Sequence, residues 1–200
     1  MYRLDPLFSA KIYLQKGGDI VLIAQDRKIE GDSTTWKNYQ SDFSPTTCKP
    51  CEKRHGKIVL ANDIIAVNSV LLHIKCMCKL VSMRTKQAGT ATSKSKAGAD
   101  YYLTYFKSLP NYYITKDQAK NQGWATWKGN LADVCPNKMI GGDPYENREK
   151  KLPVAINRTW HEADLDYSSG YRNTYRILYS NDGLVFVSYD HYQTFYEITK

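Results

Sequence analysis

The sequence predicts an α+β protein whose C-terminal half sets helices first and an antiparallel sheet second. Three observations carry this expectation. Thr115-Lys116-Asp117-Gln118 is a capping box, a hydroxyl followed three residues on by Gln, which marks a helix start. From Arg158 onward, segments rich in Ile, Leu, Val, Phe and Tyr recur at strand length. Two of them flank Asn181-Asp182-Gly183, a tight-turn sequence that joins antiparallel neighbours. Helices followed by hairpin-connected strands make the α+β pattern.

In chain order, Ile12 to Leu14 and Ile20 to Ala24 read as short strands around Gly17-Gly18-Asp19, and Asp63 to Leu72 is an apolar run too short to separate helix from strand. Lys86 to Gly98 is Lys, Ser, Thr, Ala and Gly without apolar periodicity, the composition of a flexible linker. This divides the chain into a small basic cysteine-containing module at 1–85, a linker at 86–99 and a domain at 100–200. In that domain, Asp100 to Lys107 reads as a helix that stops before Leu109-Pro110, and a second helix runs from the Thr115 cap to Gly123. Strands are expected over Arg158 to Leu165, Tyr175 to Tyr179 and Leu184 to Tyr189.

The chain carries 28 Lys and Arg against 20 Asp and Glu, net +8: 16 against 8 before residue 100 and 12 against 12 from there on. The surplus therefore belongs to the N-terminal half, where it suits phosphate, an anionic surface or simply a well-solvated exterior. No run of about 18 apolar residues exists, so no membrane span is expected. The start Met1-Tyr2-Arg3-Leu4-Asp5 lacks the layout of a signal peptide, so export by the general route is not expected.

Trp160, Glu162 and Asp164 recur at a spacing of two and point to one face of a strand, with Arg172 and Arg176 on the next segment to balance the two acids. His191 follows the last strand. These residues fit a structural ion-pair network, and they equally contain a base, phosphate clamps and an acid, the set that phosphodiester transesterification needs.

Asn111-Tyr112-Tyr113-Ile114-Thr115-Lys116, Gly123-Trp124, Lys128 to Val134, Ile140-Gly141-Gly142-Asp143, Asn147-Arg148-Glu149, Arg158-Thr159-Trp160, Tyr167 to Tyr179 and Asp190 to Phe195 resemble, in the same order and nearly without gaps, the barnase-like guanyl-specific bacterial ribonucleases. The resemblance implies the microbial ribonuclease fold, N-terminal helices packed on a twisted antiparallel sheet, and a metal-independent endoribonuclease that cuts single-stranded RNA after guanine. It implies Glu162 as general base and His191 as general acid, Lys116, Arg172 and Arg176 on the phosphate, and Tyr192 beside the acid. Asp164 would hold the arginines. Tyr145, Asn147, Arg148 and Glu149 would form the base-reading loop, with Glu149 accepting from guanine, and Asp143 would shape the turn that feeds it. Tyr145 and Tyr171 keep the family's aromatic faces. His161, Trp127, Pro144 and Cys135 depart from it, Cys135 as a small packing residue and His161 pointing away from Glu162.

In the N-terminal half, Cys48-Lys49-Pro50-Cys51 and His73-Ile74-Lys75-Cys76-Met77-Cys78 suit a structural zinc held by Cys48, Cys51, Cys76 and Cys78, with His73 as an alternative ligand. Free thiols or a disulfide suit them equally. The same words, with His55-Gly56-Lys57, resemble the tail of phage Mu-type head-morphogenesis proteins, a module found fused to toxins. The combined resemblance implies a monomeric polymorphic-toxin effector acting in a target cell's cytoplasm, neutralised by a small acidic inhibitor of the barstar kind. The alternative, from another class, is a phage-head-like structural protein whose domain binds RNA or guanine nucleotides without cutting. Such a module has no need of an acid or a base, and both are present.

Overall fold

A computed structural model of the chain describes residues 11–16, 19–24, 36–41, 49, 53–60 and 79–200. The cysteines of the expected zinc site, Cys48, Cys51, Cys76 and Cys78, the alternative ligand His73 and the run from Asp63 to Leu72 lie outside these residues. The chain divides into two units, Met1–Met83 with Glu149–Pro153, and Arg84–Arg148 with Val154–Lys200.

In the first unit, β1 (Lys11–Lys16) and β2 (Asp19–Ala24) form the expected antiparallel hairpin. A separate sheet has the order β4–β3–β5, from β3 (Trp36–Gln40), β4 (Ile58–Leu60) and β5 (Lys79–Ser82). Alternation along β3 buries Lys37 and Tyr39. A buried ammonium needs acceptors, and Lys37 Nζ donates to Ser82 Oγ at 3.2 Å. The segment 149–153 joins this unit through Ile58 N, which donates to the Lys151 carbonyl at 2.7 Å.

The second unit is of the expected α+β class. Its elements are β6 (Arg84–Gln87), α1 (Ala99–Phe106), β7 (Tyr113–Ile114), α2 (Lys116–Asn121), α3 (Leu131–Val134), β8 (Met139–Tyr145), β9 (Trp160–Asp164), β10 (Arg176–Ser180), β11 (Val185–Ser188) and β12 (Tyr196–Thr199). The sheet runs β6–β12–β11–β10–β9–β8–β7, antiparallel except for the outermost pairs β6/β12 and β7/β8. The capping box is present in full: Thr115 Oγ1 accepts from Gln118 N, and Gln118 Oε1 accepts from Thr115 N. The Asn181-Asp182-Gly183 turn closes the β10–β11 hairpin, with Gly183 N donating to the Ser180 carbonyl at 3.1 Å.

Period-two alternation gives this sheet two different faces. Ala163, Leu165, Ile177, Val185 and Val187 pack with Leu103 and Ala99 of α1 into one core, each large aliphatic side chain contributing about 1.5–3 kcal/mol on burial. Ala119, Trp124, Leu131, Cys135, Met139, Ile140 and Tyr167 form a second core under α2 and α3, where Cys135 is the small packing residue expected of it. Gly141 is required by close approach, since a Cβ there would come within 2.6 Å of Ala163 Cβ and of the Tyr113 ring.

Residues 86–99 are not a flexible linker. Arg84–Gln87 pairs in parallel with Tyr196–Thr199, and Ala91 and Ala99 are buried in the α1 core. The fully buried Asp100 carboxylate collects the amides of Gly89 at 2.7 Å and Ala91 at 2.9 Å. Order here comes from partners distant in sequence, which composition does not register. The unit therefore begins at Arg84, not at residue 100, and the small residues are there because the chain runs close against α1.

Candidate active site

Glu162 and Asp164 point away from α1, into a face shared with Arg176 and Ser188. In the register, Asp164 stands opposite Arg176, which stands opposite Ser188, so one row across β9, β10 and β11 carries an acid, a cation and a hydroxyl. Asp164 is 0% exposed. It accepts from Arg172 Nε at 2.7 Å and Nη2 at 2.6 Å, a bidentate pair, and lies 3.2 Å from Arg176 Nε. Arg176 Nη1 donates to the carbonyls of Asn173 and Tyr175 at 2.7 Å each, and its Nε makes no hydrogen bond. The two arginines are thus fixed by Asp164 as the period-two spacing predicts.

Glu162 is 9% exposed and its two oxygens are held separately. Lys116 Nζ donates to Oε1 at 2.6 Å, and Tyr192 Oη donates to Oε2 at 2.5 Å. Burial on its own pushes this carboxyl up. The two hydrogen bonds, with the charges of Lys116 and Arg172, outweigh burial and hold it below the usual carboxylate range. The Tyr192 phenol is pushed in the opposite direction, by its own burial and by the Glu162 acceptor beside it. Burial favours a lower value for Arg172, but its bonds to Asp164 raise it instead. The site therefore holds an ionised carboxylate among three fixed cations.

Lys116 reaches Glu162 because α2 starts there: both Asp143 oxygens accept the Lys116 amide, at 3.2 and 3.1 Å. Asp143, placed by sequence in a shaping role, thus ties the α2 start to β8.

His191 and Tyr192 sit in consecutive left-handed conformations, φ 55° and 67°, which for non-glycine residues must be held by their surroundings. Asp190 and Ser188 do this. Asp190 Oδ1 accepts from Ser188 Oγ, Gln193 N and Thr194 N at 2.9, 3.0 and 2.9 Å, and its Oδ2 accepts from Thr194 Oγ1 at 2.6 Å. Ser188 Oγ in turn accepts from Tyr192 N at 2.9 Å. This bracket leaves the His191 ring exposed, 4.9 Å from the Tyr192 ring. Sequence reasoning passed over Ser188, Asp190 and Thr194. The available signal was an acid four residues before a threonine, the spacing of a local side-chain turn.

The Tyr145 ring stacks on Tyr192 at 5.2 Å, so the first residue of the expected base-reading loop touches the Glu162 cluster. Asn147 is buried with φ 46°, and Arg148 pairs with Glu146 on the exposed rim. Glu149, the last residue of that loop, opens the segment 149–153 of the first unit and lies 3.1 Å from Lys151 Nζ. His161 faces away from Glu162, stacked on Tyr179 at 5.5 Å. Among the described residues, no group of three or more His, Cys, Asp or Glu is placed to hold a metal ion, and no helix is long and apolar enough to cross a membrane.

The profile of a family described as ribonuclease matches residues 90–199. The chain is similar to a ribonuclease of Heyndrickxia coagulans, 55% identical over 100 residues that cover 50% of this chain and 91% of that protein. Ribonucleases of Bacillus intermedius and Bacillus pumilus are each 55% identical over 100 residues, which cover 50% of this chain and 61% of theirs.

Proposed function

From the premise that this chain belongs to the ribonuclease family, as residues 90–199 show, we propose that it cuts single-stranded RNA after guanine by attack of the ribose 2′-hydroxyl. The observation that carries this reading is the buried Glu162 carboxylate, kept ionised between Lys116 and Tyr192 beside two arginines fixed by one buried acid.

Glu162 takes the 2′-hydroxyl proton as that oxygen bonds to the adjacent phosphorus. The bond from phosphorus to the 5′-oxygen breaks, and His191 gives that oxygen its proton. A 2′,3′-cyclic phosphate remains on the guanosine. Lys116, Arg172 and Arg176 stabilise the charge that grows on the phosphoryl oxygens, in a geometry fixed before substrate arrives. The nucleophile belongs to the RNA, so DNA binds without being cut. Side chains supply the base, the acid and the cations, so the proposed chemistry calls for no divalent ion. Guanine is read by the loop from Tyr145 to Glu149, with Glu149 accepting from its N1 and N2 donors.

The test is to incubate the protein with a short defined RNA in EDTA and map the ends. Cuts after G that leave a cyclic phosphate support the reading. Cuts without base preference, or a requirement for a metal, overturn its finer parts.

The wider role follows from the two resemblances: a ribonuclease carried on a cysteine-containing module as the toxic part of a delivered protein, acting in a recipient's cytoplasm and neutralised by a small acidic barstar-like protein that fills the cationic cleft. A structural zinc on the N-terminal cysteines belongs to the same reading. Expression alone should be toxic, and co-expression with such an inhibitor should relieve it. Tolerated expression of an active enzyme speaks against this role.

A further inference from the structure

Trp127 stands on a short 3-10 turn, Thr126–Lys128, and is 76% exposed, far outside the usual environment of tryptophan. It has no part in the core, which Trp124 serves from three residues away. Its loop is nevertheless firmly built. Ala125 N donates to Asn130 Oδ1 at 3.0 Å, Asn130 Nδ2 donates to the Gly123 carbonyl at 3.1 Å, and Lys128 N donates to the Ala125 carbonyl at 2.9 Å.

A second loop braces it. Tyr171 Oη donates to the Trp127 carbonyl at 2.9 Å, and the Tyr171 side chain is itself 70% exposed. Gly129, at φ 59°, lets the two loops meet, because a Cβ there would come within 3.1 Å of the Gly170–Tyr171 backbone. The backbone that carries the exposed Trp127 side chain is thereby tied to the exposed Tyr171, with exposed Lys128 next in the chain. An indole held open to solvent on a braced loop offers its π-face to a planar ligand.

The place of this surface decides its occupant. Tyr171 precedes Arg172, whose guanidinium is fixed on Asp164 at the far end of β9. Tyr145, which opens the base-reading loop, pairs with Trp160 at the other end of that strand. A strand of RNA with guanosine at the Tyr145 end and its 3′-phosphate among Lys116, Arg172 and Arg176 continues toward Tyr171 and Trp127.

We propose that Trp127, braced by Tyr171, is a stacking platform for a nucleobase on the 3′ side of the scissile phosphate of single-stranded RNA. The assignment rests on the ribonuclease reading for the direction of the strand. Stacking uses the π-face that all bases share, so the platform adds affinity for longer chains without adding sequence preference, and Lys128 supplies charge for the backbone.

The experiment measures binding by calorimetry to two uncut ligands, 2′-deoxyguanosine 3′-phosphate and the deoxy trinucleotide dG-dA-dA, for the protein and for Trp127→Ala and Trp127→Phe. The advantage of the trinucleotide over the mononucleotide should shrink roughly five- to a hundredfold in Trp127→Ala, the range that base–aromatic stacking supplies, and should be largely restored in Trp127→Phe. An unaltered ratio overturns the platform, whether both ligands bind as before or both weaken together. An unaltered ratio with weaker binding of an acidic protein inhibitor would assign Trp127 to a protein partner instead. Failure of the unsubstituted protein to cut RNA after G would sink the ribonuclease reading and leave the binding comparison to be judged by itself.

Discussion

Replacing Asp164 by Ala should be the most destabilising single change in the site. Its carboxylate is 0% exposed, accepts two charge-assisted hydrogen bonds from Arg172 and lies 3.2 Å from Arg176. Truncation leaves two cations without their anion, and Arg176 is itself buried, so the cost is that of breaking a buried ion pair, about 3–5 kcal/mol. With a urea dependence of about 2 kcal/mol per molar, the unfolding midpoint should fall by about 2 M. Asp164→Asn keeps the shape and one acceptor oxygen and should lose less. Both should also lower kcat, because an arginine displaced by about 1 Å costs on the order of a hundredfold. Equilibrium unfolding in urea, followed by tryptophan fluorescence, checks the first part. A loss below about 1 kcal/mol in Asp164→Ala would refute the claim that this acid organises the site.

Glu162→Gln and His191→Ala should each reduce cleavage of a guanylyl dinucleotide by roughly 10² to 10⁴, read from initial rates; a folded, fully active His191→Ala would remove the proposed acid. Because Lys116 helps to hold the Glu162 carboxyl low, Lys116→Met should move the acidic limb of kcat/KM to higher pH, and a limb that stays in place would contradict the 2.6 Å contact. The sign extends to stability: a depressed carboxyl stabilises the fold above its unfolded value, and this is lost as pH falls through the folded one, so acid unfolding of Lys116→Met should begin at higher pH. Asp190→Ala should release the left-handed His191-Tyr192 turn and lower kcat with little change in KM, checked by steady-state kinetics.

Where sequence reading succeeded, its signals were local. The Thr115 capping box, the β10–β11 turn and the shared face of Trp160, Glu162 and Asp164 each lie within a few residues, and each is present. Where it failed, the order was supplied from afar. The composition of residues 86–99 is that of a linker, yet Gln87 pairs with Thr199, and the Asp100 carboxylate draws the preceding loop onto the start of α1. The site divides in the same way. The pairing of Arg172 with Asp164 follows from two nearby segments and the cost of buried charge, whereas the seating of Lys116 and Tyr192 on Glu162 joins residues 46 and 30 positions away. Exposure is the other blind spot. Trp127 reads as a local substitution, and only its 76% exposure on a braced loop separates it from a packing residue.

The charge distribution has a physical logic that net charge conceals. Residues 100–200 carry 12 cations against 12 acids, so nothing global draws this region to RNA. Its three central cations are held by two acids, Lys116 by Glu162 at 2.6 Å and the arginines by Asp164 at 2.6 and 3.2 Å, which keeps them in place at no cost in reorganisation. The two acids differ in what the proposed reaction does to them. Asp164, fully buried and saturated by arginines, stays ionised throughout. Glu162 takes up the 2′-hydroxyl proton and becomes neutral. At that moment the Lys116 ammonium loses the charge that balanced it, just as negative charge builds on the phosphoryl oxygens beside it. Lys116 therefore binds the transition state more strongly than the bound substrate, the condition under which a contact raises kcat instead of merely lowering KM. A cation paired with the base is in this way a device for delaying its charge until the reaction calls for it.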